Sequence, residues 1–232
     1  MAVRCFADAL EVLGSRAAVI SEDGSCLSYE ELAVLADSAA GHIEHPGLLL
    51  IEADNSLPPL AAYLGALGRR CPVLMVGAGS NSERIIDTFN PGTIYRRNRG
   101  TWEFLAQPSV DMKQMTFHQD LALLLPTSGS TGSSKLVRLS HENLTSNAEA
   151  IASYLNIDEH ERAVTSLPIY YSFGLSVVNS HLAAGGSLLL TNMSVTETQF
   201  WAHFEEHQAT SLAGVPSTYE LLEQIRSREW TS

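Results

Sequence analysis

The stretch around which this chain is organised is a short polar loop, Thr127-Ser128-Gly129-Ser130-Thr131-Gly132-Ser133-Ser134-Lys135. Six of its nine residues carry hydroxyl groups, two are glycine and the last is lysine, and the apolar run 121–126 leads into it. A loop without apolar side chains is not held by packing, but its glycines let the backbone approach a ligand closely. Successive backbone N–H groups, hydroxyl donors and one ammonium group together suit an anion. The sequence therefore predicts a polyphosphate cradle at this loop.

Three other interpretations of the loop compete with the polyphosphate cradle. A flexible Ser/Gly linker is one, although linkers seldom end on a lysine that opens a strand-like run. A Walker loop, G-x-x-x-x-G-K-[ST], counted from Gly129 requires Gly at 134 and Ser or Thr at 136, where the sequence has Ser134 and Leu136. The dinucleotide fingerprint G-x-G-x-x-G is absent from the chain. What remains is a Ser/Thr/Gly loop that joins two predicted strands and ends in lysine.

The composition is that of a charge-poor globular protein, with 45% hydrophobic and 17% charged residues among 232. The net charge of −12 argues against a nucleic-acid-binding surface, which needs a basic face. The basic cluster Arg96, Arg97 and Arg99 is interpreted as a solvated loop. No apolar run approaches 18 residues, so no membrane span is predicted. The three cysteines are odd in number and far apart, which indicates free thiols and a cytoplasmic location.

Short apolar runs alternate with amphipathic segments along the chain, which predicts βαβ units. The expected fold class is α/β, with mostly parallel sheets flanked by helices. Residues 96–118 look irregular and polar, so residues 1–115 are assigned to a first α/β subdomain and 116–232 to a second one that carries the loop. Strands are predicted at 17–20, 48–51, 73–76, 93–95, 121–125, 136–139, 163–169, 188–191 and 210–215, and helices at 6–13, 28–43, 58–67, 81–89, 140–154, 173–184, 194–208 and from 216 onward. Ser28, followed three residues later by Glu31, predicts a capping box at the start of the second helix.

Residues 125–135 resemble the phosphate-loop signature of the AMP-forming adenylate ligases, which include acyl-CoA synthetases, luciferases and the adenylation domains of nonribosomal peptide synthetases. Four further stretches are similar to motifs of that superfamily, so the resemblance covers essentially the whole chain: Leu27–Leu32, Leu139–Leu144, Ser166–Leu175 and Gly214–Ser217. The resemblance implies the layered αβαβα N-terminal domain of these enzymes.

The resemblance also implies a reaction, in which a carboxylic acid attacks ATP to give an acyl adenylate and pyrophosphate. A thiol, that of coenzyme A or of the phosphopantetheine on an acyl carrier protein, then takes the acyl group. In the superfamily the loop holds the β- and γ-phosphates, and Mg²⁺ screens their charge. Thr131 is the candidate hydroxyl near the metal ion. The residues carried over to nucleotide binding are Thr127, Ser128, Gly129, Ser130, Thr131, Gly132 and Lys135.

The segment that resembles the next core motif contains the candidate residues for binding the acid, Tyr171 and Gly174. Tyr171 stands where many acyl-activating members have His and where amino-acid-activating members often have Asp one step earlier, which argues against an α-amino acid. Core packing beside a helix start is an equal alternative for Tyr170, Tyr171 and Phe173.

Motifs that the superfamily places later in its sequence are absent from these 232 residues: Tyr-Gly-x-Thr-Glu, the Asp that holds the ribose, and the catalytic Lys of a separate C-terminal domain. The expectation is therefore an N-terminal portion of a ligase that is inactive alone. A non-catalytic binding or scaffold module derived from such a ligase is the alternative. His203-Phe204-Glu205-Glu206-His207 also fits the zinc pattern H-x-x-E-H, for which a polar helix shoulder is the simpler interpretation.

Overall fold

The computed structural model describes residues 5–43, 47–80, 82–107, 117–126 and 135–229, with side chains as far as residue 224. The described strands are β1 (Ala17–Ile20), β2 (Cys26–Ser28), β3 (Leu49–Ala53), β4 (Val73–Gly77), β5 (Thr93–Asn98), β6 (Thr101–Ala106), β7 (Leu121–Pro126), β8 (Leu136–Ser140), β9 (Arg162–Val164), β10 (Ser187–Leu189) and β11 (Ser211–Leu212). The helices are a 3₁₀ helix (Phe6–Leu13), α1 (Tyr29–Ala40), α2 (Leu57–Gly68), α3 (Glu83–Phe89), α4 (His141–Leu155), α5 (Ser172–Ala184), α6 (Thr198–Glu206) and α7 (Pro216–Glu229).

The strands form two mostly parallel sheets, as the alternation of strands and helices predicts. The six-stranded sheet has the order β6-β5-β3-β4-β7-β8, in which β5, β3, β4 and β7 run parallel and the two edge strands run antiparallel to their neighbours. The five-stranded sheet has the order β11-β9-β10-β1-β2, in which only β2 is antiparallel to its neighbour. Both sheets are flanked by helices, so the α/β prediction is confirmed.

Side-chain alternation along β3 shows how the layers are built. Leu49 and Ile51 belong to a central core that joins both sheets to α1, α2, α4 and α5, whereas Leu50 faces an outer cluster beneath α3. Strands that are buried on both faces carry apolar residues at every position, which is why 48–51 is an unbroken apolar run. A third cluster, with Phe200 of α6 at its centre, covers the outer face of the five-stranded sheet. The result is five layers, αβαβα.

Local signals in the sequence set several helix ends. Ser28 caps α1: its hydroxyl accepts from the Glu31 backbone N–H, and the Glu31 carboxylate accepts from the Ser28 N–H at 2.7 Å, so the predicted capping box is confirmed. Ser140 caps α4 in the same way through the Asn143 N–H. Gly185 ends α5 with φ of 80°, in the left-handed conformation that favours glycine.

The prediction that residues 96–118 are irregular is wrong for residues 96–106. These residues complete β5 and form β6, joined by a tight turn in which Arg99 and Gly100 both have positive φ. The bounds of β9 and α6 also differ from prediction. β9 ends at Val164, because Ser166 and Pro168 lie in a bent connection, and α6 begins at Thr198, four residues after the predicted start.

Each sheet takes strands from both sides of the predicted boundary at residues 115/116. The six-stranded sheet receives β7 and β8 from the second half, and the five-stranded sheet receives β1 and β2 from the first half. The division into subdomains 1–115 and 116–232 therefore stays a prediction about folding units and does not coincide with the sheets. None of the helices in the described part of the chain is long and apolar enough to cross a membrane.

Candidate active site

The predicted phosphate loop connects two paired strands. β7 and β8 run antiparallel with Pro126 opposite Leu136, so the chain leaves the sheet at the carboxyl end of β7 and re-enters it beside the same position. The strand–loop–strand setting inferred from the sequence is therefore confirmed, and a Walker loop, which opens a helix, does not fit it. β7 is parallel to β4, so both strands end at the same edge of the sheet. Ligands bind outside the carboxyl ends of strands in open α/β sheets.

Six of the seven residues assigned to nucleotide binding lie outside the described residues, and their roles stay predictions: Thr127, Ser128, Gly129, Ser130, Thr131 and Gly132. The structure describes the seventh, Lys135, as an exposed residue directly before β8. Lys135 thus lies at the junction between the loop and the strand that closes it.

The second predicted motif, residues 166–175, approaches the same edge from the other sheet. It leaves the carboxyl end of β9, and the Ser166 hydroxyl donates to the Ala213 carbonyl at 2.5 Å, which fixes it to the end of β11. The ring of Tyr170 then lies over Gly77 at the carboxyl end of β4, where a Cβ would come within 2.8 Å of the ring. Because β7 follows β4 in its sheet, this contact brings residues 166–171 beside the strand that enters the phosphate loop.

Tyr170 and Tyr171 have different environments, which separates the two alternatives left open by the sequence. Tyr170 packs against Gly77, and burial, reinforced by the neighbouring Tyr171, raises the pKa of its phenol. Tyr171 is 54% exposed and Phe173 is 46% exposed at the start of α5. The two tyrosine rings lie 4.8 Å apart. Packing therefore accounts for Tyr170, and Tyr171 and Phe173 present aromatic surface at the edge of the site.

Gly174 lies where the chain turns from this segment into α5. It is buried, and a Cβ at this position would overlap the carbonyl oxygen of Pro168. Glycine is therefore required for the close approach of the helix to the preceding bend. The Tyr171 N–H donates to the same Pro168 oxygen at 3.1 Å, so Tyr171 and Gly174 are both placed by Pro168.

The Gly214–Ser217 motif lies at the carboxyl end of β11, on the same edge of the five-stranded sheet as residues 166–171. It follows β11, where the Val215 N–H donates to the Thr218 hydroxyl at 3.2 Å as α7 begins. Val215 and Tyr219 are both exposed. Apolar and aromatic side chains from two connections thus stand at the carboxyl edge of the five-stranded sheet.

Charged side chains meet at the carboxyl ends of β3 and β5. Arg97 lies 3.3 Å from Asp54 and Arg96 lies 3.7 Å from Glu52, which also accepts a hydrogen bond from the Ser82 hydroxyl. The interpretation of Arg96 and Arg97 as a solvated loop is therefore wrong, because both lie on β5, where Arg96 pairs with Glu52 of β3 and Arg97 pairs with Asp54 directly after β3. Paired in this way, they supply little free positive charge to a phosphate.

Asn55 is the site residue that sequence reasoning missed. It follows β3, is 8% exposed, and its side chain makes hydrogen bonds to Thr165, Leu167 and Ile169, all in the connection after β9. The available signal was its place just past the carboxyl end of a buried parallel strand, the edge at which open α/β sheets bind ligands.

The H-x-x-E-H pattern places two histidine rings side by side, with centroids 4.6 Å apart for His203 and His207. His203 is buried, and its Nε2 has no hydrogen-bond partner. Within the described residues there is no group of three or more His, Cys, Asp or Glu side chains that could hold a metal ion. The zinc interpretation thus lacks the further ligands that it requires.

The sequence profile of a family described as AMP-binding enzyme matches residues 93–231. Peroxisomal OPC-8:0-CoA ligase 1 of Arabidopsis thaliana is 32% identical over 106 residues, which are 45% of this chain and 19% of that protein. ATP-bound MatB from Rhodopseudomonas palustris has a TM-score of 0.74 at 22% identity, covering 92% of this chain and 50% of that one. The N-terminal domain of FACL13 from Mycobacterium tuberculosis has a TM-score of 0.78 at 16% identity, covering 96% of this chain and 65% of that one. The chain thus spans about half of MatB and about a fifth of the plant ligase.

Proposed function

This chain belongs to the AMP-binding enzyme family, and on that premise we propose that it is the nucleotide-binding part of an ATP-dependent ligase that activates a carboxylic acid. A carboxylate oxygen attacks the α-phosphorus of ATP, the bond to the pyrophosphate oxygen breaks, and an acyl adenylate forms. A thiol then attacks the acyl carbon and AMP leaves. The observation that carries the proposal is the polyphosphate-type loop set between two paired strands, beside the segment 166–175.

The loop fits the nucleotide by the chemistry of its donors. Its sequence supplies hydroxyl groups, glycine N–H groups and one ammonium group, all of which are donors suited to anionic oxygen, and it contains no carboxylate. Preorganised donors of this kind stabilise the charge that develops on the phosphates during attack. We assign this role to Thr127, Ser128, Gly129, Ser130, Thr131, Gly132 and Lys135.

Magnesium is assigned to the same loop. Mg²⁺ keeps several of its water molecules and binds ATP phosphates together with one or two protein oxygens, so one hydroxyl is a suitable protein contribution. Thr131 is the hydroxyl that we propose for it. When bound, the ion neutralises phosphate charge and so favours departure of pyrophosphate.

The acid binds, in this proposal, at the edge that carries Tyr171 and Gly174. Exposed aromatic rings at Tyr171, Phe173 and Tyr219 suit an apolar acyl group, and an Asp that would pair with an α-amino group is absent from residues 168–174. The acceptor thiol is that of coenzyme A or of a carrier-protein phosphopantetheine. The three cysteines are free, two of them buried, which suits the reducing cytoplasm that we propose as the location.

The nucleotide site is tested by titrating the ¹⁵N-labelled chain with MgATP and following its amide signals by NMR. We expect weak, saturable shifts at Lys135 and no release of pyrophosphate, since later motifs of the family are absent from the sequence. Lys135→Ala removes a charge-assisted contact and should raise the apparent Kd about tenfold. Arg138→Ala is the matched control, because Arg138 is an exposed cation on β8, close to Lys135 in the chain, and is assigned no contact with the nucleotide.

Two results of this titration would count against the proposal. Equal weakening by Lys135→Ala and Arg138→Ala would mean that general charge attraction, and not the loop, binds the nucleotide. An absence of shifts at millimolar MgATP would favour the alternative, a non-catalytic scaffold module. Pyrophosphate release by the purified chain would contradict its inactivity in isolation, while supporting the ligase assignment.

A further inference from the structure

One buried amide joins the two sheets at the edge where the candidate site lies. The Asn55 Nδ2 donates to the carbonyl oxygens of Thr165 at 2.7 Å and Leu167 at 3.2 Å. Its Oδ1 accepts the Ile169 N–H at 3.0 Å. The Asn55 backbone N–H donates to the side chain of Asn192 at 3.0 Å, on the connection after β10. Asn55 thus follows a strand of the six-stranded sheet, but all four of these hydrogen bonds reach connections of the five-stranded sheet.

The hydrogen bonds of Asn55 use the two donors and one acceptor of a single amide group. A buried amide whose donors and acceptor are all matched is stabilising, and removal of one partner leaves the other buried and unsatisfied. The three partners lie within five residues, 165–169, in a connection that has no regular secondary structure of its own. The Asn55 side chain thus holds the backbone of this connection, together with the Thr165 N–H, which donates to the Leu189 carbonyl, and the Ser166 hydroxyl, which donates to the Ala213 carbonyl.

The effect of Asn55 extends to the residues assigned to the acid. Pro168 lies between two of its partners, Leu167 and Ile169. The Pro168 carbonyl accepts the Tyr171 N–H at 3.1 Å and is the atom against which Gly174 packs. A shift of this carbonyl would displace the start of α5 and with it the ring of Tyr171.

We propose that Asn55 is a positioning residue of the candidate acid site. It fixes the backbone of residues 165–169 and thereby places Tyr171 and Gly174 relative to the carboxyl ends of β3 and β4. The positioning of residues 165–169 is inferred from the hydrogen bonds alone. That these residues border an acid-binding site rests on the proposed function.

Asparagine is the side chain that fits the three partners. Aspartate has nearly the same shape, but it keeps only the acceptor for Ile169 and turns an anionic oxygen toward the carbonyls of Thr165 and Leu167. Alanine removes all three side-chain bonds. A role in filling space would be preserved by Asn55→Asp and lost in Asn55→Ala, whereas a role in hydrogen bonding would be lost in both.

The test is amide hydrogen exchange of the full chain followed by NMR. In the wild type the Ile169 amide should be protected, and Asn55→Ala and Asn55→Asp should each lower that protection by about tenfold or more without a matching loss at β3 and β9. Asn192→Ala is the matched control. The Asn192 side chain also bridges the sheets, because it accepts the Asn55 backbone N–H, but the hydrogen bonds between Asn55 and residues 165–169 do not involve Asn192. We expect it to leave Ile169 protected.

A second readout separates positioning from stability. With cinnamate as the probe acid, Asn55→Ala should raise the apparent Kd read from the Tyr171 and Gly174 amide shifts about tenfold, while the MgATP shifts at Lys135 stay unchanged. Fast exchange at Ile169 in the wild type, wild-type protection in Asn55→Asp, or an equal effect of Asn192→Ala would overturn the proposal. Failure of wild-type MgATP binding would count against the proposed function and leave the exchange result to decide the role of Asn55.

Discussion

His141, the first residue of α4, is a buried base whose charge the fold does not accommodate. It is 3% exposed, and neither ring nitrogen has a hydrogen-bond partner. Burial, followed by the nearby Arg70 guanidinium, lowers the pKa of His141 to about 4, against smaller opposing effects of Asp8 and Asp120. Since an unfolded histidine titrates near 6.5, the unfolded chain takes up this proton first as the pH falls. The stability of the fold should therefore decrease between about pH 6.5 and pH 4.

We expect this residue to contribute about 3 kcal/mol to that decrease, measured as the free energy of unfolding in urea across the pH range. His141→Met replaces the imidazole by an apolar side chain that does not titrate, so its stability should vary less with pH than that of the wild type. His118→Gln is the control, because it also removes one imidazole, but at an exposed position. A His141→Met profile as steep as that of the wild type would show that other groups cause the loss.

At the residue scale, the sequence was informative wherever the partner of a residue is near in the chain. Ser28 and Glu31 were predicted as a capping pair, and the structure confirms them. Asn55 and Gly77 were not predicted to take part in the site, because the residues that they contact lie about a hundred positions later. A local pattern carries no information about which distant segment will meet it. The loop residues 127–132 were assigned to the nucleotide by resemblance, and that assignment stays a prediction.

At the scale of elements, the pairing of α1 with α2 depends on a single glycine. A Cβ on Gly65 would overlap the carbonyl oxygen of Ala36 in α1, so the two helices are closer than any other residue at this position allows. We expect Gly65→Ala to destabilise the protein by about 2 kcal/mol, because overpacking forces the helices apart.

The control for this variant lies one turn further along α2. A Cβ on Gly68 would meet nothing within 4 Å, so Gly68→Ala should be neutral or stabilise the fold by up to about 1 kcal/mol through the unfolded state. Both values are obtained from urea unfolding followed by circular dichroism. Equal stability of the two variants would show that α2 moves away from α1 without cost.

Strands and helices with a clear hydrophobic pattern were predicted well, whereas short or bent elements were not. The runs 48–51, 73–76 and 121–125, which belong to β3, β4 and β7, are unbroken apolar stretches because helices cover both faces of their sheet. This signal can be recognised without knowing which strands are paired. β6 lies at an edge and is only partly buried, so its alternation of Trp102 and Phe104 with polar residues is brief. The order of strands in the two sheets depends on long-range packing, which sequence patterning alone does not specify.

At the scale of the whole molecule, the sheets are interlocked along the chain. β1 and β2 from the first half complete the sheet of the second half, and β7 and β8 do the converse. One central core cluster contains residues of both sheets, and Asn55 connects their carboxyl edges. Removing either half would expose apolar faces of both sheets. We therefore expect residues 1–115 and 116–232 to unfold together in one transition.

This expectation is checked with two single-tryptophan variants in urea. Trp102 reports on the edge of the six-stranded sheet, and Trp201, which lies beside Phe200 on α6, reports on the five-stranded one. The variant Trp201→Phe/Trp230→Phe retains Trp102, and Trp102→Phe/Trp230→Phe retains Trp201. Fluorescence midpoints that coincide with each other, and with the circular dichroism of the same variant, would establish one cooperative unit. A shared core does not allow one sheet to lose its packing before the other. Midpoints that differ, while both variants keep the same overall stability, would therefore contradict a single cooperative unit and support two subdomains that fold separately.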